Sequence, residues 1–127
     1  MKKLFFIFFS VLLLAGCTVE ASDNDKGSLV VSNRCYDNPD AEISAIYVKE
    51  KGSTGYVLVY SGAVKSDRSQ FVELKPGEYS VKVEVTTNII DGFSTVRYYD
   101  TGYNIYRKLK ADGFVNVTFD GSGIYFE

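Results

Sequence analysis

The residues best suited to recognition chemistry lie in one segment of the second half of the chain. Residues 97–110 contain four tyrosines and four basic side chains: Tyr98, Tyr99, Tyr103 and Tyr106 with Arg97, Arg107, Lys108 and Lys110. Tyrosine combines a rigid apolar ring with a polar hydroxyl and, like arginine, is enriched at recognition surfaces. The pattern predicts a partner-binding surface here. The predicted binding residues are Tyr98, Tyr99, Tyr106 and Arg107.

A second interpretation of the same segment is that it only packs against the domain. Adjacent residues of a strand point to opposite faces, so Tyr98 and Tyr99 cannot share one surface. In this alternative, Tyr103 and Ile105 point inward and Tyr106 covers an edge. The sequence Asp100-Thr101-Gly102 interrupts the segment, and we expect a bend there that redirects the neighbouring side chains outward.

Catalytic chemistry has little support in the sequence. The chain contains no histidine, so the usual general base and the usual partner of a nucleophile are missing. Glycoside hydrolysis needs only two carboxyl groups, but the spacing of the acidic residues singles out no pair. No glycine-rich phosphate loop occurs. We expect no catalytic residues and no cofactor, and a hydrolase is the least favoured function.

Two acidic segments are candidates for calcium. Their oxygen-bearing residues are Asp23, Asn24 and Asp25, and then Asp37, Asn38, Asp40 and Glu42. Neither segment has the spacing of a twelve-residue EF-hand loop, and Asp and Asn are also ordinary turn residues. The sequence therefore favours turns, with no metal site, over calcium binding.

The N-terminus has the three zones of a secretion signal. Lys2 and Lys3 are basic, residues 4–14 are apolar except for Ser10, and small residues follow. The apolar run is too short for a membrane-spanning helix, which needs about 20 residues. The sequence Leu14-Ala15-Gly16-Cys17 resembles the lipobox of bacterial lipoproteins.

This resemblance implies cleavage before Cys17 and attachment of two or three acyl chains there, palmitate among them. A second acyl chain makes membrane anchoring stable. The expected location is the cell envelope. Because Thr18 rather than Asp follows Cys17, the family's sorting rules imply the outer membrane if the organism has two membranes, and otherwise the outer face of the cell membrane.

Charge and cysteine content exclude further classes. Loss of Lys2 and Lys3 with the signal takes the net charge from −2 to −4, so we expect no nucleic-acid partner. With Cys17 acylated, Cys35 is the remaining thiol and has no partner for an internal disulfide. We interpret Cys35 as a small buried hydrophobic residue, and pairing with another protein is the alternative.

Three regions follow along the chain. Residues 1–16 are the signal peptide, and residues 17–27 are the lipidated cysteine with a flexible acidic tether that is too polar to fold alone. Residues 28–127 form one domain, in which apolar residues alternate with polar ones at period two. The runs are 29–36, 43–49, 56–61, 70–74, 79–86, 94–99, 103–109, 114–119 and 124–126. We predict an all-β fold, a single antiparallel β-sandwich of seven to eight strands, immunoglobulin-like or transthyretin-like.

Turn residues separate these runs. Lys75-Pro76-Gly77-Glu78 places Pro and Gly at the centre of a type II turn, and we expect a hairpin there. Asp91-Gly92, Asp112-Gly113 and Asp120-Gly121 are similar signals. With its flanking strands, the Pro-Gly segment, residues 71–83, resembles the hairpin of PEGA and transthyretin-like domains. That resemblance supports the fold and implies no site residues.

The sequence as a whole favours a membrane-anchored, non-catalytic binding module for a protein or glycan partner. The alternative is an accessory subunit of an envelope assembly that recruits a larger protein through sheet edges or loops.

Lipidation is testable directly at Cys17. Mature wild-type protein should partition into detergent and carry an acylated N-terminus, because the thiol receives the lipid. The Cys17→Ala variant should remain as unprocessed precursor or as protein without a lipid. Mass spectrometry of the mature N-terminus decides, and a start elsewhere or an unmodified Cys17 thiol contradicts the prediction.

Overall fold

Nine strands form the regular structure of the chain in a computed structural model, which describes residues 25–88 and 93–127. The strands are β1 (Gly27–Asn33), β2 (Ala41–Glu50), β3 (Val57–Val64), β4 (Arg68–Leu74), β5 (Gly77–Asn88), β6 (Ser94–Asp100), β7 (Arg107–Leu109), β8 (Phe114–Phe119) and β9 (Ile124–Phe126). The signal peptide, Cys17 and most of the tether lie outside the described residues. Within those residues, no helix has the length and apolarity needed to cross a membrane.

The strands form two sheets. The first sheet has the order β9-β8-β1-β4, and the second has the order β3-β2-β5-β6. The short strand β7 also pairs with β5, beside residues that β6 does not reach. Strands β1 and β8 are parallel, and the other pairs are antiparallel. The predicted all-β sandwich is confirmed. Within the described residues it has nine strands rather than seven or eight, and two of these, β7 and β9, are only three residues long.

The apolar positions of the alternating runs form the core. Val81, Val83 and Val85 of β5 point inward from the second sheet and are buried. They pack in one cluster with three residues of the first sheet, Val115, Val117 and Phe119 on β8. Cys35 is buried in the same cluster, as expected, although it lies two residues beyond the end of β1.

The Pro-Gly hairpin prediction is wrong. Strand β4 pairs only with β1, and β5 pairs with strands of the other sheet, so Lys75 and Pro76 carry the chain across the sandwich. Gly77 does not have the positive φ that a type II turn requires. The Tyr79 hydroxyl donates a hydrogen bond of 2.7 Å to the Lys75 carbonyl, which stabilises the crossing. The Pro-Gly sequence is compatible with a hairpin and with a crossing between sheets. Which of the two forms depends on the strands that β4 and β5 pair with.

The other turn signals have different outcomes. Gly121, with φ of 101°, lies in the β8–β9 hairpin, as expected for Asp120-Gly121. Asp112-Gly113 instead connects β7 of the second sheet to β8 of the first. Asp91-Gly92 lies outside the described residues.

One buried polar side chain connects the two sheets. Asn33, the last residue of β1, is fully buried. Its Nδ2 donates hydrogen bonds to the carbonyls of Ala41 (2.8 Å) and Val64 (3.0 Å), and its Oδ1 accepts one from the Cys35 N–H (3.0 Å). Ala41 begins β2 and Val64 ends β3, so the amide joins the first sheet to two strands of the second.

Asn33→Ala should destabilise the domain by about 3 kcal/mol, because it removes the three buried hydrogen bonds that the amide makes to two carbonyls and one N–H. Chemical denaturation of the variant and the wild type measures the difference. Asn116→Ala is the matched control, since Asn116 is exposed on β8, and it should change the stability by less than about 0.5 kcal/mol. Equal effects of the two substitutions would show that the Asn33 bridge does not contribute.

Candidate binding cleft

A cleft of about 270 Å³ opens beside the end of β6 in the second sheet. Its walls come from three separate parts of the sequence, and they combine aromatic, charged and amide groups. The lining residues are Lys49, Tyr56, Ser80, Asp100, Gly102, Tyr103, Asn104 and Tyr106. Three tyrosines, one cation and one carboxylate therefore surround one small volume.

The loop of residues 101–106 forms one wall of the cleft. Strand β6 pairs with β5 only up to Lys82, and β7 pairs with β5 only up to Tyr79. Between them, Thr101 holds the loop to β5: its N–H donates to the Val81 carbonyl (3.0 Å), and its Oγ1 accepts from the Val81 N–H (3.1 Å). The chain then leaves the sheet.

The expected bend lies in this loop. Asp100 Oδ1 accepts a hydrogen bond of 3.0 Å from the Gly102 N–H, and Gly102 adopts a φ of 115°, which strongly favours glycine. Tyr103 follows immediately and is 89% exposed. Ile105 is also exposed, so the alternative in which Tyr103 and Ile105 pack inward is wrong. Only residues 107–109 of the predicted 103–109 strand pair with the sheet.

Tyr56 forms the opposite wall and is held in two ways. Its hydroxyl lies 3.1 Å from Ser80 Oγ, which in turn lies 3.0 Å from Thr101 Oγ1. Its ring also contacts the ammonium group of Lys82, whose Nζ is 4.8 Å from the ring centroid. This side chain is therefore positioned before any ligand arrives.

Lys82 is surrounded by tyrosine rings on the outer face of the second sheet. Besides Tyr56, its Nζ lies 5.0 Å from the ring centroid of Tyr47 and 5.5 Å from that of Tyr98. These distances are in the range of cation–π attraction, worth about 0.5–2 kcal/mol each depending on exposure. We call Lys82 with these three residues the tyrosine–lysine cluster. It extends the aromatic surface from the cleft across β5 to β6.

Glu84 fixes the far end of this cluster. Its Oε2 accepts a hydrogen bond of 2.9 Å from the Tyr98 hydroxyl, and its Oε1 accepts one of 2.6 Å from Ser44. The hydrogen bond and the negative charge of Glu84 hold the pKa of the Tyr98 phenol above its ordinary value. Glu84 therefore favours the protonated form of the Tyr98 phenol.

The four predicted binding residues lie in three different places. Tyr106 lines the cleft, and Tyr98 lies in the adjoining tyrosine–lysine cluster. Tyr99 points to the interior, with its ring centroid 5.2 Å from that of Phe119. Arg107 lies at the edge formed by β7, where it covers the Phe126 ring and donates to the Glu127 carbonyl. Tyr106 and Tyr98 therefore lie in two adjoining groups that share Tyr56, whereas Tyr99 and Arg107 belong to neither group.

Three lining residues lie outside the predicted segment of residues 97–110. Lys49, Tyr56 and Ser80 lie 20 or more residues away from the loop in sequence. Lys49 and Ser80 are Cα partners on adjacent strands, so strand pairing brings them to the cleft. The period-two pattern places them on a polar face and carries no information about which strands are neighbours.

In the acidic segment of residues 37–42, residues 37–40 form a turn, and Glu42 lies in strand β2. The Asn38 side chain accepts a hydrogen bond from the Asp40 N–H, and its carbonyl accepts one from the Ala41 N–H. Within the described residues, no three His, Cys, Asp or Glu side chains lie together where they could hold a metal ion. Asp23 and Asn24 of the other calcium candidate lie outside that part of the chain.

Comparison with known proteins identifies the N-terminus. Residues 1–18 match the model of the prokaryotic membrane lipoprotein lipid attachment site, which supports a bacterial lipoprotein anchored to the membrane of the cell envelope. No curated protein and no solved structure matches the chain. The expected likeness to PEGA and transthyretin-like domains has no support in these comparisons.

Glu84→Gln should lower the pKa of Tyr98 toward the ordinary tyrosine value, because it removes the negative acceptor. Titration of ¹³C-labelled tyrosine by NMR measures this pKa in both proteins. Because the pKa of Tyr98 is higher in the folded than in the unfolded protein, this phenol stabilises the fold at pH values below its ordinary pKa of about 10. The contribution is lost as the pH rises through the pKa of the folded state. The stability advantage of wild type over Glu84→Gln should therefore narrow above pH 10. An identical Tyr98 pKa in the two proteins contradicts the assignment.

Proposed function

We propose that this lipid-anchored chain is a non-catalytic glycan-binding module that presents its cleft from the surface of the bacterial envelope. The observation that carries the proposal is the combination of Tyr56, Tyr103 and Tyr106 with Lys49, Asp100 and Asn104 around one small cleft. Sugars have both an apolar C–H face and a periphery of hydroxyls, so they need both kinds of contact at once.

The aromatic groups suit the C–H faces of a sugar ring. Tyr103 is almost fully exposed before binding, so a stacked sugar would cover apolar surface that now faces water. Tyr56 is already held by Ser80 and Lys82. Tyrosine loses little conformational entropy on binding, because it has only two rotatable side-chain bonds.

The polar groups suit the hydroxyls. The Asp100 carboxylate accepts hydrogen bonds, the Lys49 ammonium donates them, and the Asn104 amide does both. The volume of about 270 Å³ is slightly below the range of about 300–1,000 Å³ for drug-sized ligands. A terminal sugar or a short saccharide unit fits this volume better than a long chain does.

A binding role is favoured over hydrolysis. Retaining and inverting glycosidases use a pair of carboxyl groups on either side of the glycosidic bond. Among the lining residues, the cleft supplies one carboxylate, that of Asp100. The arrangement therefore supports holding a sugar without cleaving it.

A second candidate function, accessory subunit of an envelope assembly, is favoured by the edge strand β3. This strand pairs on one side with β2 and ends the second sheet, and Val57 and Leu58 on it are exposed. A partner could add a strand there. Leu58→Lys should abolish capture of such a partner and leave glycan binding intact, whereas Tyr103→Ala should do the reverse.

The cellular place of the module is the outer membrane in a bacterium with two membranes. This proposal rests on the Thr18 residue that follows the acylated cysteine. Membrane fractionation of the producing cells would test it, and recovery in the inner membrane would contradict it.

Tyr103→Ala and Asn104→Ala should each weaken glycan binding by about five- to tenfold, since truncating a residue buried on binding usually costs over 1 kcal/mol. A glycan array identifies a ligand, and calorimetry with that ligand gives the affinities. Tyr125→Ala is the control, because Tyr125 is also an exposed tyrosine (45%, against 89% for Tyr103) but lies on the other sheet. No binding across the array, or wild-type affinity in both cleft variants, would refute a glycan-binding cleft.

A further inference from the structure

Two exposed phenylalanines lie side by side on the outer face of the first sheet. Phe71 on β4 and Phe114 on β8 are 58% and 64% exposed, and their ring centroids are 6.5 Å apart in an edge-to-face arrangement. Between them lies Val30 of β1, which is 8% exposed although it is not part of the core between the sheets. Tyr125 is exposed on the same face.

This outer face also carries little charge. We call the outward-pointing residues of β1, β4, β8 and β9 the neutral face. Glu73 is the only charged residue among these outward strand positions, all of which the structure describes; the others are serine, threonine, asparagine, valine and aromatic residues. The outer face of the second sheet differs, because it carries Lys49, Lys82 and Glu84.

The chain that follows the lipidated Cys17 reaches β1 beside this face. Strand β1 begins at Gly27, and the next residue, Ser28, is the Cα partner of Phe114. The Ser28 N–H donates a hydrogen bond of 2.9 Å to the Gly113 carbonyl. Nine residues lie between Cys17 and Gly27, and the ten Cα-to-Cα steps limit the span between them to about 36 Å. The phenylalanine pair is therefore held within reach of the bilayer that contains the acyl chains.

We propose that the neutral face docks on the lipid surface, with Phe71 and Phe114 at the boundary between headgroups and acyl chains. Aromatic side chains favour this boundary, and interfacial binding grows with the buried apolar area. Strand β1, at the centre of the face, is already paired on both sides, with β4 and with β8, so its backbone keeps its hydrogen-bond partners on docking. The proposal rests on the anchor at Cys17 and is independent of what the cleft binds.

Tethering makes a weak docking surface sufficient. A short tether turns docking into an intramolecular step at an effective concentration in the millimolar range, so two phenylalanines suffice where a free domain would need a larger surface. Neutral lipids fit this face best, because it offers no cluster of cations and the mature chain is acidic. The cleft, on the opposite sheet, would then point away from the membrane.

The chain contains no tryptophan, so single tryptophan substitutions can report the orientation. Full-length lipidated protein is placed in phosphatidylcholine vesicles with or without bromine atoms on the acyl chains, which quench tryptophan on contact. Phe71→Trp and Phe114→Trp should show blue-shifted emission and strong quenching by brominated lipid. Val96→Trp is the control, since Val96 is exposed on the outer face of the second sheet, and it should be quenched little.

A second experiment tests whether the phenylalanines drive docking. Tyr125→Trp reports on the same face, and its quenching should fall to the level of Val96→Trp when Phe71→Ser and Phe114→Ser are added. Circular dichroism verifies that these variants fold. Equal quenching of the Phe71→Trp, Phe114→Trp and Val96→Trp variants overturns the proposal. Blue-shifted emission without bromine quenching also overturns it, because it would mean that protein rather than lipid covers the face. Unchanged Tyr125→Trp quenching in the serine background overturns it as well.

Discussion

The hydrogen bonds of Asn33 are the constraint on which the arrangement of the two sheets depends. Apolar packing between sheets is non-directional and tolerates many relative positions, whereas a buried amide must meet its partners within tenths of an ångström. Asn33 fixes the end of β1 against the start of β2 and the end of β3. Because β1 lies between β4 and β8 in the first sheet, the same contacts position that whole sheet over the second.

Strand β5 connects the core between the sheets to the binding surface. Its inward residues, Val81 and Val83, are fully buried in the core, and its outward residues, Ser80 and Lys82, hold the cleft wall and the tyrosine–lysine cluster. Because inward and outward residues alternate along β5, the strand that is packed in the core also carries the two side chains that contact Tyr56. Ser80 and Lys82 therefore hold Tyr56 directly against a buried strand. The loop of residues 101–106 is tied to the same strand through Thr101.

Features that depend on the local sequence pattern were predictable. Features that depend on which strands pair with each other were not. Period-two alternation is a property of each strand alone, so the buried valines of β5 and β8 were predictable. The Pro-Gly segment has the same local sequence whether it closes a hairpin or crosses between sheets, and here it crosses. Within the site, Tyr106 and the bend at Gly102 were predictable from one segment. Lys49 and Ser80 were not, because their position beside that segment follows from pairing between distant strands.

The fold itself does not explain the difference between the two outer faces. Packing requires apolar residues at the inward positions, such as Leu29 and Val31, and leaves the alternate outward positions free to be charged. The second sheet follows that rule with Lys49, Lys82 and Glu84, whereas the first sheet presents Phe71 and Phe114 to solvent. The two exposed phenylalanines, like Val30, are not part of the core between the sheets. Charged side chains at these positions would keep the domain more soluble. The neutral composition of that face is consistent with the proposed docking on lipid, because the chain that follows the lipidated Cys17 joins β1 beside Phe114.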